Sequence, residues 1–513
     1  MNKENRRRFL SRLAMGTLLA SALKNRQKPS YDLLIVGAGS AGMTCAIAAA
    51  ESGLRVMVVE KDIKIGGTLN ITAGQMSAAG TRLQKAKGIQ DSPHKHYEEI
   101  MQLSQHTADP SITRLAVEEA PRLIDWLETL GYPVAEQAPA IVYNHPPYRL
   151  ARTYWGTMDY NPANPNEDAG RSVLKTLLPV WEKWQRAGRI HLRLGTSMES
   201  LIYHGGKVNG IVAQGNDGSK IDLKARQVVL ATGGYAANPE FFQQVTPNAQ
   251  RLVSGARITS QGEGIKAALQ IGAAFHNAEK QGYTVGGIEL QPFSGRADFW
   301  AAWARISTPL VRPPREIYLN AHGKRFMAED QPDVTLRERA IAAQPHRQCW
   351  IIFDHYAFTA GAPLIFPWTV EEMQQEAEKE RCLWKANTLE ELAAKTKLPA
   401  ENFLQTIADY NGAVAKGVDE QLGRKNLQFP VSTPPFYALL TYGFCLVSAG
   451  GLRTNPHLQV LNDSGKPIQG LYAVGEILGA GVTTGNVFCS GMLLTPALAL
   501  GRWLGKKLAR EKM

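Results

Sequence analysis

The chain has only five cysteines in 513 residues, and Cys45, Cys349, Cys382, Cys445 and Cys489 form neither a CxxC nor a CxxCH pattern. That absence argues against a zinc ribbon, an iron–sulfur cluster of the usual spacing and a covalent c-type haem held by this chain, and no metal ligands are expected. A long hydrophobic run is also missing. The apolar stretch Leu13 to Leu19 falls well short of the ~20 residues a membrane-spanning helix needs, so stable membrane insertion is not expected. The formal charge of +11 is dispersed, with no long Lys/Arg run outside the N-terminus, which speaks against nucleic acid as a partner. Internal repeats are absent, and no histidine precedes His94.

What is present begins with "YDLLIVGAGSAGMTCAIAAAESGLRVMVVEKD", Tyr31 to Asp62. The apolar run Leu33 to Val36 suits a strand buried on both faces, and it leads into Gly37, Gly39 and Gly42. Gly37 permits a tight turn, Gly39 lets the backbone approach a pyrophosphate, and Gly42 lets the next helix pack closely on the strand. That helix, opening near Ser40 and Ala41, directs free N–H groups at phosphate. Val56 to Val59 form the next strand, and Glu60 ends it at the ~20-residue spacing where a carboxylate accepts from ribose hydroxyls. The ordered set predicts a dinucleotide site. Glu60 favours FAD or NAD over NADP without separating the first two.

The first residues read as an address rather than as fold. Arg6 and Arg7 precede Arg8, Phe9 and Leu10, then the short apolar stretch, then Ala20-Ser21-Ala22. The pattern resembles a twin-arginine export signal over residues 1–29, the alternative being a basic disordered tail. Such export carries folded proteins to the periplasm or beyond, so a cofactor can be loaded first.

Four later segments distinguish the nucleotide. They are "KIGGTLNITAGQMSAAGT" after Glu60, "QVVLATGGYAAN" (Gln227 to Asn238), "VSAGGLRTN", and "GLYAVGEIL" (Gly470 to Leu478). With the first motif they resemble the FAD-binding fold of the fumarate reductase and succinate dehydrogenase flavoprotein family, which includes ketosteroid and tricarballylate dehydrogenases. The resemblance runs from Tyr31 to Leu504. It implies an α/β fold: a Rossmann-like FAD-binding domain over 30–295 and 441–513, with an inserted α+β capping domain over 296–440. It also implies that Gly37, Gly39, Ser40, Ala41, Gly42, Glu60 and Lys61 hold the adenosine half of FAD. Gly67, Thr68, Ala73, Gly74, Thr232 and Gly233 would flank the pyrophosphate and flavin, and Glu476 the ribityl or ribose side. Respiratory members attach FAD through a histidine after the first glycine motif; with none before His94, noncovalent FAD is expected.

Within the cap, "REIYLNAHGKRFMAED" (Arg315 to Asp330) resembles a strand-turn-strand segment of the family. Downstream, "TLRERA" places the family's proton-donating arginine at Arg337; upstream, Thr308 and Arg312 match two further active-site positions. Several family features are missing. Gln291-Pro292 stands where fumarate-binding members have a histidine before proline, and Pro309 where a relay glutamate would be. The second substrate histidine falls near Val447-Ser448, and the carboxylate-gripping arginine near Phe488. Losing those groups removes the charge-assisted bonds that would hold a dicarboxylate. The expected substrate is a less charged small molecule whose carbonyl lies beside the reacting carbon–carbon bond. Hydride would pass at flavin N5, with proton transfer at the neighbouring carbon. Arg337 could polarise that carbonyl, with Tyr318, Tyr442 and Ser448 as hydroxyl alternatives. Either this is an exported FAD enzyme acting on such a bond, or it is a flavoprotein electron-transfer subunit of a larger complex. Both need an external electron carrier such as a quinone or cytochrome.

Overall fold

In the computed structural model, residues 31–142, 146–157, 171–297, 301–306, 309 and 312–511 are described. The expected export signal and Thr308 lie outside these residues, as do residues 158–170.

The N-terminal motif folds as its local chemistry dictates. Strand β1 (Tyr31–Val36) is buried from Leu33 onward, helix α1 (Ser40–Glu51) follows the glycine turn, and β2 (Val56–Val59) is buried throughout. β1 pairs in parallel with β2, and β2 with β3 (Ile190–Arg193). Between β2 and β3 the chain makes a helical excursion, with helices Pro93–Leu103 and Pro110–Thr129, each with proline in its first turn. An antiparallel meander of β4 (Thr196–His204), β5 (Lys207–Gly215) and β6 (Lys220–Leu230) then brings β6 parallel to the other side of β1.

A second sheet is built from β7 (Thr284–Gly287), β8 (Ile317–Leu319), β9 (Gln348–Asp354), β10 (Leu383–Ala386) and β11 (Phe436–Phe444), with two short strands at one end. Its pairings are antiparallel, and β11 is central, contacting β7, β9 and β10. The sheet therefore takes β7 from before the expected boundary at 296, and β11 runs past the expected return at 441. The "REIYLNAHGKRFMAED" segment is fixed by a buried charge cluster. Glu329 accepts from Arg325 at 2.7 Å and Arg424 at 3.2 Å and caps the Tyr318 N–H at 3.1 Å, while Arg325 also reaches Asp419 at 2.8 Å.

The chain returns to the first sheet through β12 (Pro467–Ala473), which lies parallel to β6. It ends in helix α3 (Leu494–Arg510), packed on α1. Gly501 and Gly505 set that approach: an added Cβ would lie 2.4 Å from the Ala41 carbonyl oxygen and 2.3 Å from that of Cys45. Among the described residues no helix is long and apolar enough to cross a membrane.

Candidate active site

A cavity of about 1430 Å³ extends from the β1–α1 turn to the second sheet. This exceeds the usual ~300–1,000 Å³ of a small-molecule pocket and suits a dinucleotide with space beside it. Its floor is the glycine turn. Gly37 has φ +103°, and a Cβ there would meet the Ala231 carbonyl oxygen at 2.4 Å; a Cβ on Gly42 would sit 1.9 Å from the Gly37 oxygen. Both contacts are with backbone, which cannot give way. Gly39 has only Gly67 Cα within 4.0 Å of its would-be Cβ, so its backbone faces open space. It also caps α1 without a side-chain hydrogen bond, leaving the first-turn N–H groups for an anion.

Glu60 closes the turn. One carboxylate oxygen accepts from Ala38 N at 2.7 Å and the other from Asp62 N at 2.9 Å, which fixes the group at the cavity wall with acceptor capacity for ribose hydroxyls. Lys61 is tied to Glu263 at 2.5 Å. Arg257, which sequence reasoning missed, donates to the Gly67 carbonyl at 3.0 Å, pairs with Asp62 and places a guanidinium at the pyrophosphate end. Thr232 Oγ1 and Asn486 Oδ1 are buried without a hydrogen-bond partner, and both residues line the cavity. Buried polar atoms of this kind need an occupant. Together these features fit FAD. Of the expected cofactor residues, Gly37, Gly39, Ser40, Ala41, Glu60, Lys61, Gly67, Thr68, Ala73, Thr232, Gly233 and Glu476 line the cavity. Gly42 acts from beneath, and Gly74 is not part of the lining.

Glu476 is pushed up to about 7 by burial, against the Ser448 hydrogen bonds that favour its charged form. Its Oε1 accepts from Ser448 N at 3.1 Å and from Ser448 Oγ at 3.3 Å, and the same Oγ accepts from Tyr235 N at 3.1 Å. Ser448 is thus committed to the FAD domain's own fabric, and its neighbours Val447 and Ala449 face the cavity instead.

The other expected chemical residues are distributed differently from the sequence reading. Arg312 lines the cavity, bonded through two nitrogens to Glu316 at 2.8 and 3.0 Å. Tyr318 is buried behind that pair with its hydroxyl 3.2 Å from Glu316. Tyr442 packs in a small apolar cluster beneath Arg251, and Gln291 is exposed; neither is part of the lining. Arg337 is 1% exposed, donates to the Ile306 carbonyl and contributes nothing to the described wall. Its neighbour on α2 (Val334–Ala342), Glu338, does contribute. Burial pushes Glu338 up to about 8, partly opposed by the Arg337 charge and by the Thr284 hydroxyl beside it. Val447 and Phe488, where charged family residues were expected, line the cavity as apolar groups. The described lining contains no histidine or cysteine.

A parallel sheet feeding a glycine turn, a nucleotide-sized cavity and a second sheet closing over it define an FAD-dependent oxidoreductase. A family model described as an FAD binding domain matches residues 32–493. The chain belongs to the FAD-binding family of fumarate reductase and succinate dehydrogenase flavoproteins. It is 28% identical over 486 residues to "Probable fumarate reductase Ifc3" of Shewanella frigidimarina, spanning 94% of this chain and 75% of that one. It is 28% identical to a vinyl phenol reductase of Lactiplantibacillus plantarum, spanning 87% and 90%. Among solved structures it resembles the open conformation of a flavocytochrome c3 fumarate reductase, with TM-score 0.73, 27% identity, and coverage of 99% and 81%.

Proposed function

We propose that this protein is an exported, noncovalent FAD enzyme that reduces or dehydrogenates a carbon–carbon bond beside a carbonyl in a small organic molecule other than a dicarboxylate. FAD supplies hydride exchange; the chain's residues orient the substrate, exclude water and move a proton. The reading rests on one observation above all: the cavity that the glycine turn opens continues to a wall where Val447 and Phe488 stand in place of charged groups. Trp303, Tyr283 and Trp155 extend that apolar surface. Arg305 and Arg312 supply cationic edges toward a single carbonyl or carboxylate; Arg312 is already paired with Glu316. The absence of histidine and cysteine from the lining among the described residues supports a cofactor held without a covalent bond. Reduction of vinyl phenols by one relative is compatible with an apolar, weakly charged substrate.

The alternative is an electron-transfer subunit whose catalysis sits in a partner. The two separate in an anaerobic screen. Purified protein, its flavin reduced with dithionite, is mixed with enones, cyclic ketones and unsaturated mono- and dicarboxylates, while oxidised protein is mixed with the saturated counterparts. The proposal expects one uncharged or singly charged compound to reoxidise or bleach the flavin without any other protein. A flavin that responds only to a quinone or a cytochrome would favour the subunit reading, and fastest reoxidation by fumarate would refute the substrate class.

A further inference from the structure

We propose that Arg257 is a ligand of the FAD diphosphate, and that Asp62 holds its guanidinium in place for that contact. Arg257 stands on a strap, residues 255–260, every member of which lines the cavity. The strap is pinned on both sides. Gly255 N donates to the Cys445 carbonyl at 2.9 Å, and Ala237 N donates to the Ser260 carbonyl at 3.0 Å. Just beyond it, Glu263 opens the helix Glu263–Gln270 and binds Lys61 at 2.5 Å, tying this stretch to the end of β2.

Within that frame two contacts aim the guanidinium. One Nη donates to the Gly67 carbonyl at 3.0 Å and the other donates to Asp62. Gly67 lies directly against the glycine turn, since a Cβ added to it would stand 3.1 Å from the Gly39 Cα. Arg257 is therefore anchored beside the same first-turn N–H groups of α1 that are left for an anion. An arginine carries five N–H donors, and these contacts use two of them. The rest of the fork is available to phosphate oxygens, the partner its planar geometry suits.

Charge supplies the need for such a group. A diphosphate diester is a dianion, and a helix N-terminus sets only about half a positive charge against it. Glu60 adds a carboxylate at the same end of the cavity, and Lys61 is engaged with Glu263. Arg257 contributes a whole positive charge. Asp62 neutralises that charge until a phosphate arrives and keeps the side chain extended toward Gly67, so that little rotamer freedom is left to lose on binding. The rival reading is that Asp62 and Arg257 only staple two loops together.

The test follows FAD leaving purified holoprotein, read as the rise in flavin fluorescence after dilution, at low and at high NaCl. Arg257→Ala should release FAD about 10–100-fold faster than the parent, the loss expected for one charged hydrogen-bonding group. Raising NaCl from about 0.05 M to about 0.5 M should speed release from the parent and change Arg257→Ala much less. Arg257→Lys should fall between the two, because it keeps the charge without the fork. Asp62→Asn separates the two readings. A diphosphate ligand keeps its charge when Asp62 is neutralised, so FAD release should stay near the parent rate, whereas a staple is broken equally by either change. Release from Arg257→Ala at the parent rate, or equal leakage from Arg257→Ala and Asp62→Asn, overturns the assignment. Where Arg257→Ala does not accumulate as folded protein, the parent and Arg257→Lys carry the test, and release from the parent that ignores salt overturns it.

Discussion

At the residue scale, each glycine of the nucleotide turn answers a local steric demand. Gly42 is the most stringent case, since a single methyl would stand 1.9 Å from the Gly37 carbonyl oxygen. Gly42→Ala must push α1 away from β1, displacing the N–H groups aimed at pyrophosphate. The expected result is folded protein that loses its flavin on desalting, read as the ratio of flavin to protein absorbance; full flavin content would contradict the packing account. Proton chemistry was less legible, for a geometric reason. Successive residues on a helix are rotated by about 100°, so alignment with a family motif cannot tell whether Arg337 or Glu338 faces the cavity. Ser448 was hard to place for a related reason: it lies in a bend after β11, where its hydroxyl turns to Glu476 and Tyr235 while Leu446, Val447 and Ala449 line the cavity. Burial sets the sign of the pH response. With Glu338 raised to about 8, the cavity wall gains a negative charge as pH rises through that value, so an anionic ligand should bind more weakly above it, measured as a rising Kd by flavin fluorescence.

At the scale of elements, the cap's order comes from a charge cluster that the sequence displays without explaining. Arg325 and Glu329 lie four residues apart, but Asp419 and Arg424 arrive from another part of the chain. Their convergence depends on the path of the second sheet, which no local pattern specifies. Glu329 and Arg424 are almost completely buried. Removing one partner leaves an uncompensated buried charge, typically about 3–5 kcal/mol. Glu329→Ala should therefore lower cap stability by about that amount, seen as a fall in the urea midpoint followed by tryptophan fluorescence. Replacing the exposed partner in the Lys385–Glu378 pair, Glu378→Ala, should change it by less than ~1 kcal/mol. Equal effects would mean that the buried cluster contributes no more than a surface pair. The second sheet crosses the expected boundaries at 296 and 441 for a related reason, through β7 and β11. Each continues directly from FAD-domain chain, and nothing in its apolar pattern says which sheet it joins.

At the scale of the whole molecule, the FAD domain is completed by its last segment. β12 joins the first sheet beside β6, and α3 docks on α1 through Gly501 and Gly505. The nucleotide turn is therefore braced by chain from both ends of the sequence, with the cap segment lying between the two halves. The cavity is lined from both the first and the last segments of the chain, so a cofactor loaded before export is compatible with a route that carries folded protein. We propose that Arg6 and Arg7 direct that route. Replacing both with lysine keeps the charge of the segment but alters the arginine pair that twin-arginine export reads. Folded, yellow, full-length protein should then accumulate in the cytoplasm, measured as flavin fluorescence in cell fractions. An unchanged periplasmic yield would assign the segment to another pathway, and colourless protein in the cytoplasm would show that FAD joins only after export.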